Sequence, residues 1–211
     1  MDASRWAGES EESGEPSVSP RRRGAVLERA ILGSALEQLS TVGWNGLTME
    51  RVAAGAQTGK AAVYRRWPSK EDLVVDALQA ALPDLRAAVD HGSVREDLYQ
   101  LCRRIRDAMF SKPGFALRSV LHECDSAAAE RFHGLIFQKV IEPSARLFDD
   151  VVSRGIERGD VRPDAVSDLV RDVIPGLMMY RSKVCGSEFP DGDLARMIDE
   201  VMVPLLRPYG R

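Results

Sequence analysis

No apolar run in these 211 residues approaches the roughly 20 needed to cross a bilayer, which excludes a helical membrane protein. Cysteine is scarce: Cys102, Cys124 and Cys185 are too few and too scattered for a disulfide framework, and free, buried thiols are expected. The run His122-Glu123-Cys124-Asp125, with His133 further on, has the residue types of a metal site. On a helix, however, His122 and Cys124 point in different directions, and no second ligand pair is spaced to complete a set, so no metal or cofactor is expected. No nucleophile–base–acid triad, phosphate-cradling glycine loop or pair of carboxylates stands out, so an enzyme is not expected either. Residues 1–20 are rich in Ser, Glu, Gly and Pro and contain no apolar signal stretch; a disordered tail and a cytoplasmic location are expected.

What is present is a globular composition, 44% hydrophobic and 29% charged, with enough chain for one or two domains around a real core. The net charge is only −3, but its distribution is uneven. Residues 21–70 hold nine Lys and Arg against three acids, a local charge of +6, while residues 1–20 carry −4. A basic module on an otherwise acidic chain is the footprint of a localised phosphate-binding face. Arg21-Arg22-Arg23 reads either as a solvated helix start or as an arm reaching phosphate or the minor groove.

That module has helical punctuation. Leu27, Ala30, Ile31, Ala35, Leu39 and Val42 form one stripe at 3.6 periodicity, stopping at Gly43, after which Trp44 is expected to enter the core. Thr48 can cap a short helix carrying Met49, Val52 and Ala53. Gly55-Ala56-Gln57 supplies a turn, and Thr58 can cap a second helix with Lys60, Ala61 and Ala62 in its first turn and Tyr64, Arg65 and Arg66 one turn later. Two short helices crossing through small residues, the second with a basic and small-residue start, is the layout of a helix-turn-helix reader. Ser69 can cap a fourth helix through Leu73, Val74, Ala77, Leu78 and Ala81, interrupted by Pro83.

Residues 24–73 resemble the DNA-binding domain of the TetR family of transcriptional repressors. The likeness is carried by Leu47-Thr48, Val52-Ala53-Ala54, the run from Gly59 to Trp67 and the closing Pro68-Ser69-Lys70-Glu71-Asp72-Leu73. Two turn positions depart from the family, Gln57 where Gly is common and Gly59 where Ser is. Gln57 must then accept a backbone geometry that Gly takes more easily. The resemblance implies that Thr48, Thr58, Lys60, Ala61, Ala62, Tyr64, Arg65, Arg66 and Lys70 form the DNA interface. Lys60, Ala61 and Ala62 would read bases; Thr48, Tyr64, Arg65 and Lys70 would grip phosphate; Arg66 could do either, and Trp67 would pack in the core.

From residue 84 onward the pattern stays helical, with no strand alternation. Leu98, Leu101, Cys102, Ile105 and Met109 stripe one helix, Lys112-Pro113-Gly114 breaks the chain, and a short helix follows around Phe115–Cys124. A long helix is expected from about Ala127 to Arg158, kinked at Pro143 and ended by Gly159. Two more follow, at about 164–184 and 192–206. Val166, Leu169, Val170, Val173, Ile174, Leu177 and Arg181 on one, and Leu194, Met197, Ile198, Val201, Met202 and Leu205 on the other, have the spacing of a four-helix dimer interface or of the chain's own core. In the family this pair of helices dimerises. The family also binds a small molecule in its C-terminal helices, for which Leu98, Cys102, Ile105, Met109, Phe115, Leu121, Phe132, Ile136 and Met178 are candidate walls.

The expected protein is therefore all-α: a tail over 1–20, a helix-turn-helix DNA-binding domain over 21–68, and a helical effector-binding and dimerisation domain over 69–211. The expected function is a ligand-responsive regulator, by family habit a repressor, that binds a palindromic operator in double-stranded DNA as a homodimer. A regulator without an effector, governed by its abundance or by a protein partner, is the alternative.

Overall fold

The stripe that begins at Leu27 does form one long helix. The computed structural model describes residues 24–207, so the expected tail over 1–20 and the arginine triplet lie outside the described residues. Helix α1 (Gly24–Gly46) buries Leu27, Ile31, Ala35 and Leu39. Its regular course stops at Gly43, where φ is 70° and ψ is −176°, a conformation that favours glycine. The break turns Trp44 inward, leaving it 6% exposed. Helices α2 (Met49–Gly55), α3 (Lys60–Tyr64) and α4 (Lys70–Ala81) follow. Ser69 caps α4, accepting a hydrogen bond from the Asp72 amide at 3.1 Å.

The rest is also helical, with no strand among the described residues: α5 (Val94–Met109), α6 (Lys112–Glu123), α7 (Ser126–Ile136), α8 (Glu142–Arg158), α9 (Asp168–Val184), α10 (Asp191–Met197) and α11 (Val203–Leu206). No helix is long and apolar enough to cross a membrane among the described residues. Lys112-Pro113-Gly114 is not the expected breaker but the first turn of α6, capped by Ser111. Proline suits that position because the amide it lacks would be unpaired there anyway. Gly114 is needed because a Cβ would lie 2.3 Å from the Ala108 carbonyl.

The expected long helix is continuous but not uniform. Between α7 and α8 the chain widens into a π turn, Phe137–Ile141, just before Pro143. A second π turn, Ile198–Met202, precedes Pro204 in the same way. Proline's ring collides with the carbonyl four residues back, and an added residue in the turn relieves that clash without breaking the helix. Gly159, with φ 82°, ends α8 as expected.

Two apolar cores organise these helices. The first joins α1–α4 to the inner faces of α6 and α7 through Ala116, Leu117, Val120, Phe132 and Leu135. The second joins α5 and α8–α11. Helix α4 thus packs with the N-terminal helices, and α6 seats directly on α1. Polar contacts stitch the same seam. Glu123 of α6 accepts from the Asn45 amide at 3.1 Å and from the Ser119 hydroxyl at 2.8 Å. Arg131 of α7 donates to Asp72 of α4 at 2.6 Å. Trp44 meets Phe132 edge-on, with centroids 5.5 Å apart.

Candidate nucleic-acid interface

A five-residue helix cannot hold its own shape in water, so α3 must be held by what lies behind it. Val63, fully buried, is its anchor, and Trp67, 4% exposed, closes the following turn. The Trp67 indole N–H donates to Asp76 of α4 at 2.8 Å. In front of α3, α2 is pinned to α1: the Ser34 hydroxyl donates to the Val52 carbonyl at 3.1 Å, and a Cβ on Gly55 would come within 2.4 Å of Ser34 Oγ. Thr48 caps α2 as expected, accepting from the Arg51 amide at 3.3 Å.

The turn bears out one reading and alters another. Gln57 does take the left-handed conformation, φ 55°, with its amide donating to Ala54 at 3.0 Å. Thr58 does not cap α3. Gly59 is the capping residue and supplies no side chain, while the Thr58 amide is used on the Ala53 carbonyl at 2.9 Å. The Thr58 side chain is left half-buried beside α3.

The outward side of the motif carries Thr48, Lys60, Ala61, Tyr64 and Arg65, all exposed, with Ala62 and Arg66 half-buried at its edge. Lys60 and Tyr64 share one face, the ammonium lying 5.3 Å from the ring centroid. Arg66 reaches back to the Ala62 carbonyl at 3.4 Å. Lys60 is ion-paired with Glu50 of α2. That hydrogen bond raises the lysine pKa and lowers the glutamate's. Glu50 was not legible as a site residue, because its meeting with Lys60 depends on the angle of the turn rather than on any helical spacing.

Lys70 differs from the other cations. Its ammonium donates to the Trp44 carbonyl and lies 4.0 Å from the Trp44 ring centroid, and burial lowers its pKa. It therefore clasps the α1 end, not the solvent face shared by Lys60 and Arg65.

The candidate effector residues fall into two groups. Leu121, Phe132 and Ile136 belong to the first core; Leu98, Cys102, Ile105, Met109 and Met178 belong to the second. Phe115 belongs to neither and is 50% exposed. Burial pushes the Cys102 thiol up to about 12, whereas Cys185 is exposed, contrary to the expectation of buried thiols throughout.

The candidate dimer residues split by helix face. Ile174, Leu194, Met197 and Ile198 lie in the chain's own core, Val166, Val170, Val173 and Leu177 are half-buried against it, and Val201 is half-buried. The outward side of α9 carries apolar residues too; the sequence pattern included Leu169 and Val173 of these but not Met179, Tyr180 or Val184. Leu169, Met179, Tyr180 and Val184 are 79%, 63%, 58% and 67% exposed. With Val173 and Gly176 they recur every three or four residues along one side of the helix.

Comparison with known proteins agrees with this geometry. Residues 31–77 match the family model described as bacterial regulatory proteins, tetR family, and residues 88–201 match the tetracyclin repressor-like C-terminal domain. A DNA-binding transcriptional repressor TetR of Mycobacteroides abscessus is 29% identical over 194 residues, spanning 90% of this chain and 98% of its own. A helix-turn-helix transcriptional regulator of Mycobacterium tuberculosis is 28% identical over 183 residues, spanning 85% and 87%. Among solved structures, a TetR family regulator designated SCO0332 has a TM-score of 0.57 at 25% identity, covering 86% of this chain and 99% of its own. A regulator from Agrobacterium tumefaciens reaches 0.62 at 18% identity, covering 89% and 93%, a likeness of fold.

Proposed function

This chain belongs to the TetR family of DNA-binding transcriptional regulators, and from that premise we propose a ligand-responsive repressor that grips a palindromic operator as a homodimer. The observation that carries the reading is the α3 face. Lys60, Ala61 and Tyr64, with Arg65 directly after them, are exposed together on a helix whose only buried side chain is Val63. Such a helix can enter the major groove without disturbing the core behind it. Lys60 then offers donors to guanine acceptors, and the Ala61 and Ala62 methyls approach thymine methyls. Thr48, Thr58, Tyr64, Arg65 and Arg66 hold phosphate and fix the register.

Residues 21–68 do the reading, and 69–211 dimerise and sense the effector. The dimer contact is the outward face of α9, where Gly176 lets a second helix approach closely and Tyr180 and Leu169 are the large anchors. A two-fold axis through that face presents two α3 helices to half-sites about one helical turn, or a multiple, apart. An effector acts by preferring the arrangement that does not fit the operator, and its leverage equals that preference.

Selection of bound duplexes from random DNA, with mass measurement of the free protein, tests this. The expected result is a palindromic consensus and a mass of two chains. A strictly monomeric protein, or bound sequences without two-fold symmetry, defeats it. If a panel of lipophilic ligands leaves operator affinity unchanged, control by abundance or by a protein partner takes the place of ligand response.

A further inference from the structure

Between the second half of α1 and the start of α6 the chain leaves an open groove of about 480 Å³, within the size range of small-molecule sites. Leu39 and Ser40 form one wall; Phe110, Lys112, Phe115 and Ser119 form the other. Phe115 is a large apolar side chain that folding has left half exposed. Phe110 meets it edge-on, with centroids 6.0 Å apart and planes at 68°. Arg118, beside the groove and not in its lining, lies over both rings, its guanidinium carbon 4.9 Å from the Phe110 centroid and 4.4 Å from that of Phe115. Burial lowers the Arg118 pKa, opposed at longer range by Glu188, yet a guanidinium stays charged in a protein. No acceptor among the described residues hydrogen-bonds to it.

We propose that this groove binds a flat, apolar organic anion, an aromatic carboxylate or sulfonate, with its ring against Phe115 and Leu39 and its charge beside Arg118 and Lys112. The chemistry selects that class. The apolar walls favour a ring, and a partly desolvated cation with free donors favours an anion over a neutral or cationic guest. The site gives the effector of the proposed ligand-responsive repressor its chemical class, and it rests on that reading. Its occupant would be felt at the reader. Ser119 in the groove wall donates to Glu123, and Glu123 holds the Asn45 amide at the end of α1.

The test uses 8-anilinonaphthalene-1-sulfonate and its uncharged counterpart N-phenyl-1-naphthylamine, titrated by fluorescence against the full chain without DNA. Wild-type protein is expected to show one saturable sulfonate site per chain. Phe115→Ala and Arg118→Gln each weaken the sulfonate about tenfold or more, and Arg118→Gln leaves the neutral probe within about threefold. Ser40→Trp, from the opposite wall and at an exposed position, fills the groove and removes both probes, with thermal unfolding confirming that each variant folds. Sulfonate affinity unchanged in the folded variants overturns the proposal. Duplex binding is measured separately on the same preparations. Protein that holds the probe in this groove but binds no duplex overturns the proposed function and leaves the site. Protein that binds duplex while the probe ignores all three substitutions overturns the site and leaves the function.

Discussion

Helices α3 and α9 both present outward faces that this chain leaves uncovered, and the two faces are opposite in chemistry. That of α3 is small and cationic, spread over five residues and held by a single buried valine. That of α9 is mainly apolar, carrying Leu169, Val173, Met179, Tyr180 and Val184 with Asp172 and Lys183 among them, and is backed by Ile174 and Met178. The first gains nothing from a second protein surface and much from a polyanion, because releasing counterions from phosphate drives the contact. The second gains nothing from a polyanion and much from burial against another apolar face. Each face is too small alone: one reader covers a few base pairs, and the two act together only if α9 joins two chains. Under the proposed function, recognition is divided between a face that chooses the sequence and a face that counts the readers.

The largest effect is expected where a charge is forced into the apolar face. Tyr180→Asp, buried unpaired in a dimer, should cost about 3–5 kcal/mol of association, raising the dissociation constant more than about 100-fold. Sedimentation should show a folded single chain whose operator binding falls in parallel. An unchanged dimer would place the interface elsewhere on the surface.

Next comes the reader. Lys60→Ala should lose about 1–3 kcal/mol of discrimination at one base pair while largely sparing non-specific binding. Equal loss of both would remove Lys60 from base readout. Glu50→Gln removes the acid that now holds Lys60 and that a DNA backbone would meet. Affinity for any duplex should rise, and the salt dependence should steepen by about 0.9 in log–log slope. A flat response would mean that Glu50 turns away when DNA binds.

Lys70 sharpens the contrast between gripping DNA and holding the fold. The family resemblance assigns it to phosphate, whereas the structure sets it on Trp44. Lys70→Ala should lower stability by about 0.5–1 kcal/mol, the worth of an exposed-to-partly buried cation–π contact, and leave the salt slope unchanged. A slope reduced by about one unit would return Lys70 to the phosphate contacts.

These cases show where the sequence was legible. Local grammar was readable because its causes are local: Thr48 and Ser69 as caps, Gly43 as a stop, Gln57 in a left-handed turn, and the stripe of α1. The helix-turn-helix followed from that grammar together with the family pattern. Facts that depend on how elements meet were not readable. The α9 stripe chosen from spacing mixes core and border residues, because both sides of the helix are apolar and periodicity cannot say which faces out. Lys112-Pro113-Gly114 has the composition of a loop and became a helix start, since proline and glycine serve either role. The Lys60–Glu50 pair, the Lys70–Trp44 contact and the clasp of Glu123 on Asn45 each join residues whose separation follows no helical repeat.

The smallest expected effect probes that clasp. The Asn45 amide, followed by the Ser119 hydroxyl, holds the Glu123 carboxyl below the usual glutamate range. A carboxylate with a depressed folded-state pKa stabilises the fold above its unfolded value, near 4.3, and the contribution disappears as pH falls through the folded value. Glu123→Gln should therefore melt slightly below wild type at pH 7, and the gap should close on acidification below about pH 4, since only the wild-type clasp is titrated there. The clasp lies at an exposed seam, so the difference should also shrink in high salt. A gap that persisted unchanged at low pH would mean that Glu123 matters for its shape beside Gly43, where its oxygens fill the space a Cβ would need. Since the same carboxylate ties α6 to the end of α1, a pH-dependent gap would also show that this tie rests on a charge and not on packing alone.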